Sequence, residues 1–155
     1  MNRCILLAVL LIGLSLAGCV SEEKQDDGKV NIVTTIGMIT DMVERIGGDR
    51  VSVQGFMGPG VDPHLYKASE GDVTRMADAD LIIYNGLHLE GAMSEVLDQM
   101  HRRVKTVAVT KDFDRSLLLG HPTYENAHDP HVWFDVSLWM RTIPTIQQAL
   151  TETDS

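Results

Sequence analysis

The chain has 155 residues, of which 44% are hydrophobic and 23% are charged, a composition typical of one folded domain with a sizeable apolar core. Its 22 acidic residues outnumber its 13 lysines and arginines, so the formal net charge is -9. Nucleic-acid binding requires clustered positive charge to neutralise phosphates. The composition therefore argues against nucleic acid as a partner and is compatible with a cationic ligand.

The first 18 residues have the pattern of an export signal. A short positive region at Met1–Arg3 precedes an apolar run from Cys4 to Leu16. This run has too few residues for a helix that spans the roughly 30 Å hydrocarbon core of a membrane. We therefore expect residues 1–18 to be a signal peptide and not a membrane span.

The segment Leu16–Cys19, "LAGC", resembles the lipobox of prokaryotic lipoproteins. That resemblance implies cleavage before Cys19 and acylation of its thiol, and a plain secretory signal with a chance cysteine is the alternative. The polar composition of residues 19–29 predicts a flexible tether behind a lipid anchor. Because Cys4 would be removed and Cys19 acylated, the folded body would lack a free thiol, which excludes a disulfide framework and a cysteine nucleophile.

Strand and helix patterns alternate from residue 30 onward. Val30–Thr34 is a β-branched run typical of a strand, and helical spacing of apolar residues over Ile36–Ile46 predicts a helix that ends at Gly47-Gly48. The further predicted elements are a strand at Val51–Met57, a loop at Gly58–Gly60, a helix after a Ser69/Asp72 capping box, a strand at Leu81–Tyr84, a helix at Met93–Met100, a strand at Val104–Val109, an extended loop at Lys111–Asp129, and a helix after Asp135 that Pro144 kinks.

This alternation predicts an α/β fold with a doubly wound, parallel four-stranded sheet flanked by helices, because parallel neighbours require crossover connections. In such sheets ligands bind at the carboxyl ends of the strands. His64 follows the second predicted strand, His88 follows the third, and His131 follows the fourth after the loop. We therefore expect the three histidines along one edge of the sheet.

The tripeptide Asp-Pro-His occurs twice, at Asp62–His64 and at Asp129–His131. Proline fixes its own φ and restricts the residue before it, so each Asp-Pro presents an imidazole on a stiff loop. Neutral imidazole is the commonest metal ligand, and Asp62, Asp129 and Asp135 could orient a ring or offset the charge of a cation. Since no cysteine is available, Zn²⁺ and Mn²⁺ are among the favoured ions.

One copy of the motif would be typical of a simple turn, because Asp-Pro commonly starts turns and an isolated histidine is usually solvated. Two copies, both after predicted strands, favour a metal site with His64 and His131 as ligands. His101 lies on the polar side of a predicted helix and is interpreted as a surface residue. His121 and His128 lie in the irregular loop and are weaker candidates.

Four stretches together resemble the TroA-like solute-binding lipoproteins of zinc and manganese ABC transporters (cluster 9): "VTTIGMITDMVERIGGDRV" from Val33, "GFMGPGVDPHLY" from Gly55, "ADLIIYNGLHLE" from Ala79 and "DPHVWFDVSLW" from Asp129. In that family a metal is held between two lobes, and the histidine of each Asp-Pro-His is a ligand. The resemblance therefore implies His64 and His131 as ligands of Zn²⁺ or Mn²⁺. It also implies an exported receptor, lipid-anchored on the outer face of the cytoplasmic membrane or periplasmic, that delivers the ion to an ABC permease.

The chain also departs from the family pattern. Family members are longer, and their second lobe supplies the remaining ligands, usually a His or Glu and then an Asp. We therefore expect residues 30–155 to be an N-terminal metal-binding lobe, truncated before the linking helix and the second lobe. Two imidazoles with water would bind zinc much more weakly than four protein ligands do. His88 and His128 are the conceivable third ligands, and we do not expect either to serve.

Two functions of another class remain as alternatives. One is a surface adhesin or interaction lipoprotein, which a lipid-anchored protein can become without a change of fold. The other is a secreted metallohydrolase, with a metal-bound water as nucleophile and Asp129 or Glu90 as base. That enzyme would need a third protein ligand, and the sequence contains no His-Glu-x-x-His motif. The leading expectation is a binding protein and not an enzyme.

The apolar stripe of the last predicted helix carries an expectation about packing. In a two-lobed relative this stripe would pack partly on the linking helix and the opposite lobe. We therefore expect it to be partly uncovered in this chain, with self-association of the folded body or fraying beyond Pro144. The residues of the stripe concerned are Trp139, Ile143, Ile146 and Leu150.

Overall fold

The computed structural model describes residues 28–121, 125 and 127–154. The predicted signal peptide, Cys19 and nearly all of the tether lie outside the described residues. The strands are β1 (Val30–Ile36), β2 (Val51–Met57), β3 (Leu81–Tyr84) and β4 (Lys105–Ala108). The helices are α1 (Gly37–Gly47), α2 (Glu70–Ala77), α3 (Ser94–Met100), α4 (Val136–Met140) and α5 (Thr142–Thr153), and single 3₁₀ turns occupy Gly48–Arg50, Gly91–Met93, Arg115–Leu117 and Val132–Phe134.

The four strands form one parallel sheet in the order β2-β1-β3-β4, which confirms the predicted fold class. After β1 the chain moves to one side of that strand to form β2, and then to the other side to form β3. The strand order therefore reverses at β1. In an open α/β sheet the crevice outside the carboxyl ends of the strands at such a reversal is the usual place for a ligand.

The core lies on both faces of the sheet. Leu81, Ile82 and Ile83 are consecutive in β3, and all three are 0% exposed. Because successive side chains of a strand point to opposite faces, their complete burial requires cover on both sides. Helix α1 packs on β2 and on α5, and α5 packs on β3, while α2 contacts α3.

The final helical segment differs from the single kinked helix that the sequence predicts. It is two helices, α4 and α5, which are separated at Arg141. Pro144 occupies the first turn of α5, where its missing N–H would have had no partner within the helix. The chain therefore turns three residues before the proline, and α5 continues regularly to Thr153.

The expectation of an uncovered stripe is wrong for Ile146 and Leu150 of α5. Ile146 and Leu150 are 0% and 8% exposed, because α5 packs against β3 and α1. Trp139 and Ile143 are partly buried. The large apolar side chains that do face solvent near this end of the chain lie earlier, and they are Phe134, Val136 and Met140.

The predicted capping box at the start of α2 is confirmed. Ser69 Oγ accepts the Asp72 N–H at 3.2 Å, and Asp72 Oδ2 accepts the Ser69 N–H at 2.8 Å. Asp72 Oδ2 also accepts the Tyr66 hydroxyl at 2.8 Å, and Arg75 donates to Oδ1 at 2.5 Å. Burial alone would raise the pKa of Asp72, but these hydrogen bonds outweigh it and lower the pKa to about 2.

We expect Asp72→Asn to lower the free energy of unfolding by about 2 kcal/mol at neutral pH, since the folded-state pKa lies nearly two units below the ordinary carboxyl value. A depressed carboxyl pKa stabilises the fold above its unfolded value of 3.8, and this stabilisation is lost as pH falls towards 2. Urea unfolding of wild type and variant should therefore show a difference that shrinks below about pH 4. An equal difference at neutral and acid pH would contradict this account of Asp72.

Candidate metal centre

The first Asp-Pro-His motif lies in the loop that follows β2. The carboxylate of Asp62 accepts the backbone N–H of His64 through Oδ1 at 2.9 Å. Pro63, between them, has no N–H to offer. This arrangement is a turn closed by a side chain, which aspartate forms readily. The motif therefore fixes the backbone of His64 while leaving its imidazole exposed to solvent.

The second motif repeats this turn and adds a bond to the ring. Asp129 Oδ1 accepts the backbone N–H of His131 at 2.9 Å, and His131 Nδ1 lies 2.6 Å from the same oxygen. The bond from the His131 N–H, with help from the imidazole, holds the pKa of Asp129 below its ordinary value despite partial burial. An ionised carboxylate can only accept, so Nδ1 carries the hydrogen. The lone pair of His131 is then on Nε2.

The two imidazoles meet at the carboxyl edge of the sheet. His64 Nε2 lies 3.2 Å from His131 Nε2, and the ring planes are inclined at 65°. Without a metal, His64 Nε2–H can donate to the lone pair of His131 Nε2. Two nitrogen ligands at about 2.0–2.1 Å from a tetrahedral zinc ion lie about 3.3 Å apart. The pair therefore has the separation that one bound zinc ion would require.

Aromatic side chains line the outer side of His131. The ring centroid of Trp133 lies 5.2 Å from that of His131 with an edge-to-face inclination of 74°, and the Phe134 ring lies 6.4 Å away. Trp133 is partly buried, whereas Phe134 is 83% exposed. The edge-to-face contact with Trp133 restricts the orientation of the His131 ring.

The other histidines do not join this pair. His88 is exposed in the turn after β3, and His101 donates through Nδ1 to the Thr106 carbonyl at 3.2 Å. His128 belongs to an isolated bridge with Gly120. Within residues 28–121, 125 and 127–154, no three or more His, Cys, Asp and Glu side chains are grouped to hold one metal ion. The expected edge position holds for His64 and His131, but neither His88 nor His128 supplies a third ligand there.

Three polar residues beneath the loops form a buried cluster, of which the sequence analysis names only Glu90, as a candidate base. Thr35 is the penultimate residue of β1, Asn85 follows β3, and Glu90 lies five residues beyond Asn85; all three are at most 2% exposed. Glu90 accepts hydrogen bonds from the Thr35 hydroxyl at 2.7 Å, from the Asn85 N–H at 2.8 Å and from the Gly86 N–H at 3.2 Å. The sequence signal for this cluster is a polar residue at the end of each central strand with a glutamate just downstream.

The burial of Glu90 bears on the hydrolase alternative. Desolvation raises the pKa of Glu90, and its hydrogen bonds offset part of that rise. At 2% exposure and with three donors, its carboxylate is occupied inside the protein and does not reach solvent. Asp129 bonds to the backbone and the ring of His131 through Oδ1, and its side chain is 37% exposed. The burial of Glu90 therefore argues against Glu90 as a general base, whereas Asp129 is partly exposed and orients the His131 ring.

Within the part of the chain that the structure describes, no helix combines the length and the apolar character needed to cross a bilayer.

Residues 32–155 match the family model described as the periplasmic component A of the zinc-uptake complex, ZnuA. The chain belongs to this ZnuA family. It is 45% identical over 147 residues to the zinc-binding protein TroA of Treponema pallidum, and 39% identical over 150 residues to the manganese-binding lipoprotein MntA of Bacillus subtilis. The solved structure of the periplasmic zinc-binding protein TroA from Treponema pallidum matches 82% of the chain with a TM-score of 0.73 and 43% identity.

The chain spans about half the length of these two relatives. The alignments cover 95% of this chain, but only 47% of TroA and 48% of MntA. In the structural match, 49% of the TroA chain is covered. The sequence resemblance to TroA-like proteins is thereby confirmed for one part of those relatives.

The protonation of His131 can be tested without metal. We expect long-range ¹H–¹⁵N NMR at alkaline pH to show the Nδ1–H tautomer of His131, because the carboxylate of Asp129 accepts that hydrogen. Asp129→Ala should shift the ring towards the Nε2–H tautomer, while Asp62→Ala should leave it unchanged. An Nε2–H tautomer in the wild type would contradict the assigned geometry.

Proposed function

We propose that this chain is an extracytoplasmic metal-binding receptor lobe of a zinc or manganese ABC importer, and that it delivers the ion to a membrane permease. The observation that carries the proposal is the convergence of His64 and His131, 67 residues apart in sequence, to an Nε2–Nε2 distance of 3.2 Å. Membership of the ZnuA family supports the same role. The relatives named for zinc or manganese binding support Zn²⁺ or Mn²⁺ as the ion.

The ion would be held by two imidazoles that already face one another. His131 Nε2 carries a lone pair because Asp129 takes the Nδ1 hydrogen, and a carboxylate behind a ligating imidazole also raises its basicity. His64 has only to move its hydrogen from Nε2 to Nδ1, which leaves the Nε2 lone pair facing His131 Nε2. Since both backbones are fixed by their Asp-Pro turns, little conformational entropy remains to be lost on binding.

Two ligands favour capture and release over tight storage. Zinc usually takes four ligands, and the described residues supply two, so water or groups outside these residues would complete the coordination. We expect the affinity of this chain alone to be modest. Because the described residues supply only two of the four ligands, we assign residues 30–155 to one lobe of the receptor. An ion held by neutral rings at a solvent-exposed edge remains accessible to a permease.

The anchor in this proposal rests on the sequence. Cys19 would carry a diacylglycerol at the start of a tether over residues 19–29, behind a signal peptide at residues 1–18. The relatives described as lipoproteins support this arrangement. Fractionation of expressing cells should place the wild type with membranes and Cys19→Ala in the soluble fraction, and equal partition of the two would contradict a lipid anchor.

We propose binding and not catalysis as the activity. Glu90 is buried and hydrogen-bonded, and Asp129 Oδ1 is bonded to the His131 ring. The described residues also hold no group of three or more side chains that could bind a catalytic metal. The adhesin alternative has no specific observation in its favour. Phe134, which is 83% exposed near the site, is as compatible with the rim of a metal site as with an adhesive surface.

The assignment of ligands is tested by titrating Zn²⁺ and Mn²⁺ into the purified chain by calorimetry. We expect His64→Ala and His131→Ala each to weaken binding by at least about tenfold, because each removes one of two imidazole ligands. His101→Ala is the matched control, since His101 is an exposed histidine at the end of α3 whose ring bonds to the Thr106 carbonyl. Unchanged affinity in a variant that lacks both His64 and His131 would overturn the proposal.

Metal affinity should also fall steeply in acid. An imidazole must be neutral to bind a metal, so protons compete with the ion at His64 and at His131. Once both rings are protonated in the free protein, the apparent affinity should fall by up to about a hundredfold per pH unit, because two protons leave on binding. A site built from carboxylates alone would be nearly insensitive between about pH 5 and 6.5. A flat profile there would show that the two histidines are not both ligands.

A further inference from the structure

The second Asp-Pro-His loop is attached to β3 by one buried side chain. Asn85 is 0% exposed, and its Nδ2 donates to the Pro130 carbonyl at 3.0 Å and to the Gly86 carbonyl at 3.0 Å. Both partners are acceptors, which identifies this atom as the amide nitrogen. Pro130 immediately precedes His131. The Asn85 side chain therefore holds the peptide group from which the His131 backbone continues.

Asn85 is itself fixed on both sides of its backbone. Its N–H donates to Glu90 Oε1 at 2.8 Å, and its carbonyl accepts the Thr110 hydroxyl at 2.7 Å. Glu90 Oε1 also accepts the Thr35 hydroxyl at 2.7 Å, which joins the end of β1 to the end of β3. These residues are at most 5% exposed. A chain of buried hydrogen bonds therefore runs from the centre of the sheet to the loop that carries His131.

The backbone that forms this cluster is strained. Gly86, Leu87 and His88 have φ values of 87°, 53° and 62°, and the left-handed region is unfavourable for residues other than glycine. A Cβ atom at Gly86 would lie 2.7 Å from Thr110 Oγ1. This left-handed turn brings Glu90 back beneath the N–H groups of Asn85 and Gly86. Strain of this kind persists where surrounding contacts compensate for it, and it is concentrated at functional sites.

The first loop is held in a different way. Tyr66, two residues beyond His64, donates its hydroxyl to Asp72 at 2.8 Å. The side chain of His64 is exposed, whereas that of His131 is 36% exposed and bonded to Asp129. The buried support thus lies under His131 and not under His64.

We propose that Asn85, fixed by Glu90, is a positioning residue for metal binding: through the Pro130 carbonyl it holds His131 where its Nε2 meets that of His64. Asn85 touches neither the ion nor the imidazole. This inference rests on the proposed function, because it assigns a role within the same site. Its physical basis is the short range of a coordination bond. A displacement of His131 by about 1 Å would move its Nε2 out of bonding distance of the ion.

The test compares Asn85→Ala and the isosteric Glu90→Gln with Ile146→Val. Ile146 is a fully buried core residue in α5, and its shortening lowers stability without changing the hydrogen bonds under His131. Zn²⁺ affinity is measured by calorimetry well below each melting temperature. The orientation of the metal-free His131 ring is followed by its ¹H–¹⁵N NMR signals.

We expect Asn85→Ala to weaken Zn²⁺ binding by about ten- to a hundredfold, as loss of a group that orients a metal ligand commonly does. Its metal-free His131 signals should shift or broaden, Glu90→Gln should change both readouts in the same direction by less, and Ile146→Val should change neither. The inference would be overturned if Asn85→Ala kept the Zn²⁺ affinity and the His131 signals of the wild type. It would also be overturned if Ile146→Val lost as much Zn²⁺ affinity as Asn85→Ala. If the wild type bound no Zn²⁺, the proposed function would fail, and the metal-free His131 signals would still decide the positioning role.

Discussion

The contact between His64 Nε2 and His131 Nε2 is the constraint on which the site depends. At 3.2 Å, two imidazoles are held together when one donates to the other or when both bind a cation, and they repel when both are protonated. The fold satisfies this constraint through its strand order. With β2 beside β1 and β3 on the other side, the loop after β2 and the loop supported on β3 reach the same edge.

The two Asp-Pro-His motifs fix the geometry of the two loops where they come together. Each aspartate closes a turn on the N–H of its histidine at 2.9 Å, so both histidines leave the chain from equivalent backbone positions. Only the second aspartate also bonds to the ring. The result is an asymmetric pair, in which His131 is oriented by Asp129 and Trp133 while His64 is exposed and free to adjust its tautomer. Such a pair can accept an ion at low cost and release it again.

Much of this arrangement could be predicted from the sequence because its signals are local. Alternating strand and helix patterns define the parallel sheet, Ser69 and Asp72 define the cap of α2, and the repeated Asp-Pro-His identifies both imidazoles. The support beneath His131 could not be predicted in the same way. Thr35 and Pro130 are distant in sequence from Asn85 and Glu90, and the contacts among them depend on the register of β1 with β3 and on a left-handed turn at Leu87 and His88.

The end of the chain shows the same limit. The apolar pattern of the last helix identifies residues that need cover, but it does not state which surface covers them. In the structure α5 begins after Arg141 and places Ile146 and Leu150 against the sheet and α1. The chain therefore covers this part of its apolar surface by itself, whereas Phe134, Val136 and Met140 are exposed.

The most direct test of this account is a crystal structure of the zinc-loaded chain. The account predicts one zinc ion between the two loops, with Nε2 of His64 and Nε2 of His131 both at about 2.0–2.1 Å from the metal and with Asp129 still bonded to His131 Nδ1. Zinc bound by only one of these imidazoles, or bound at other histidines of the chain, would contradict it.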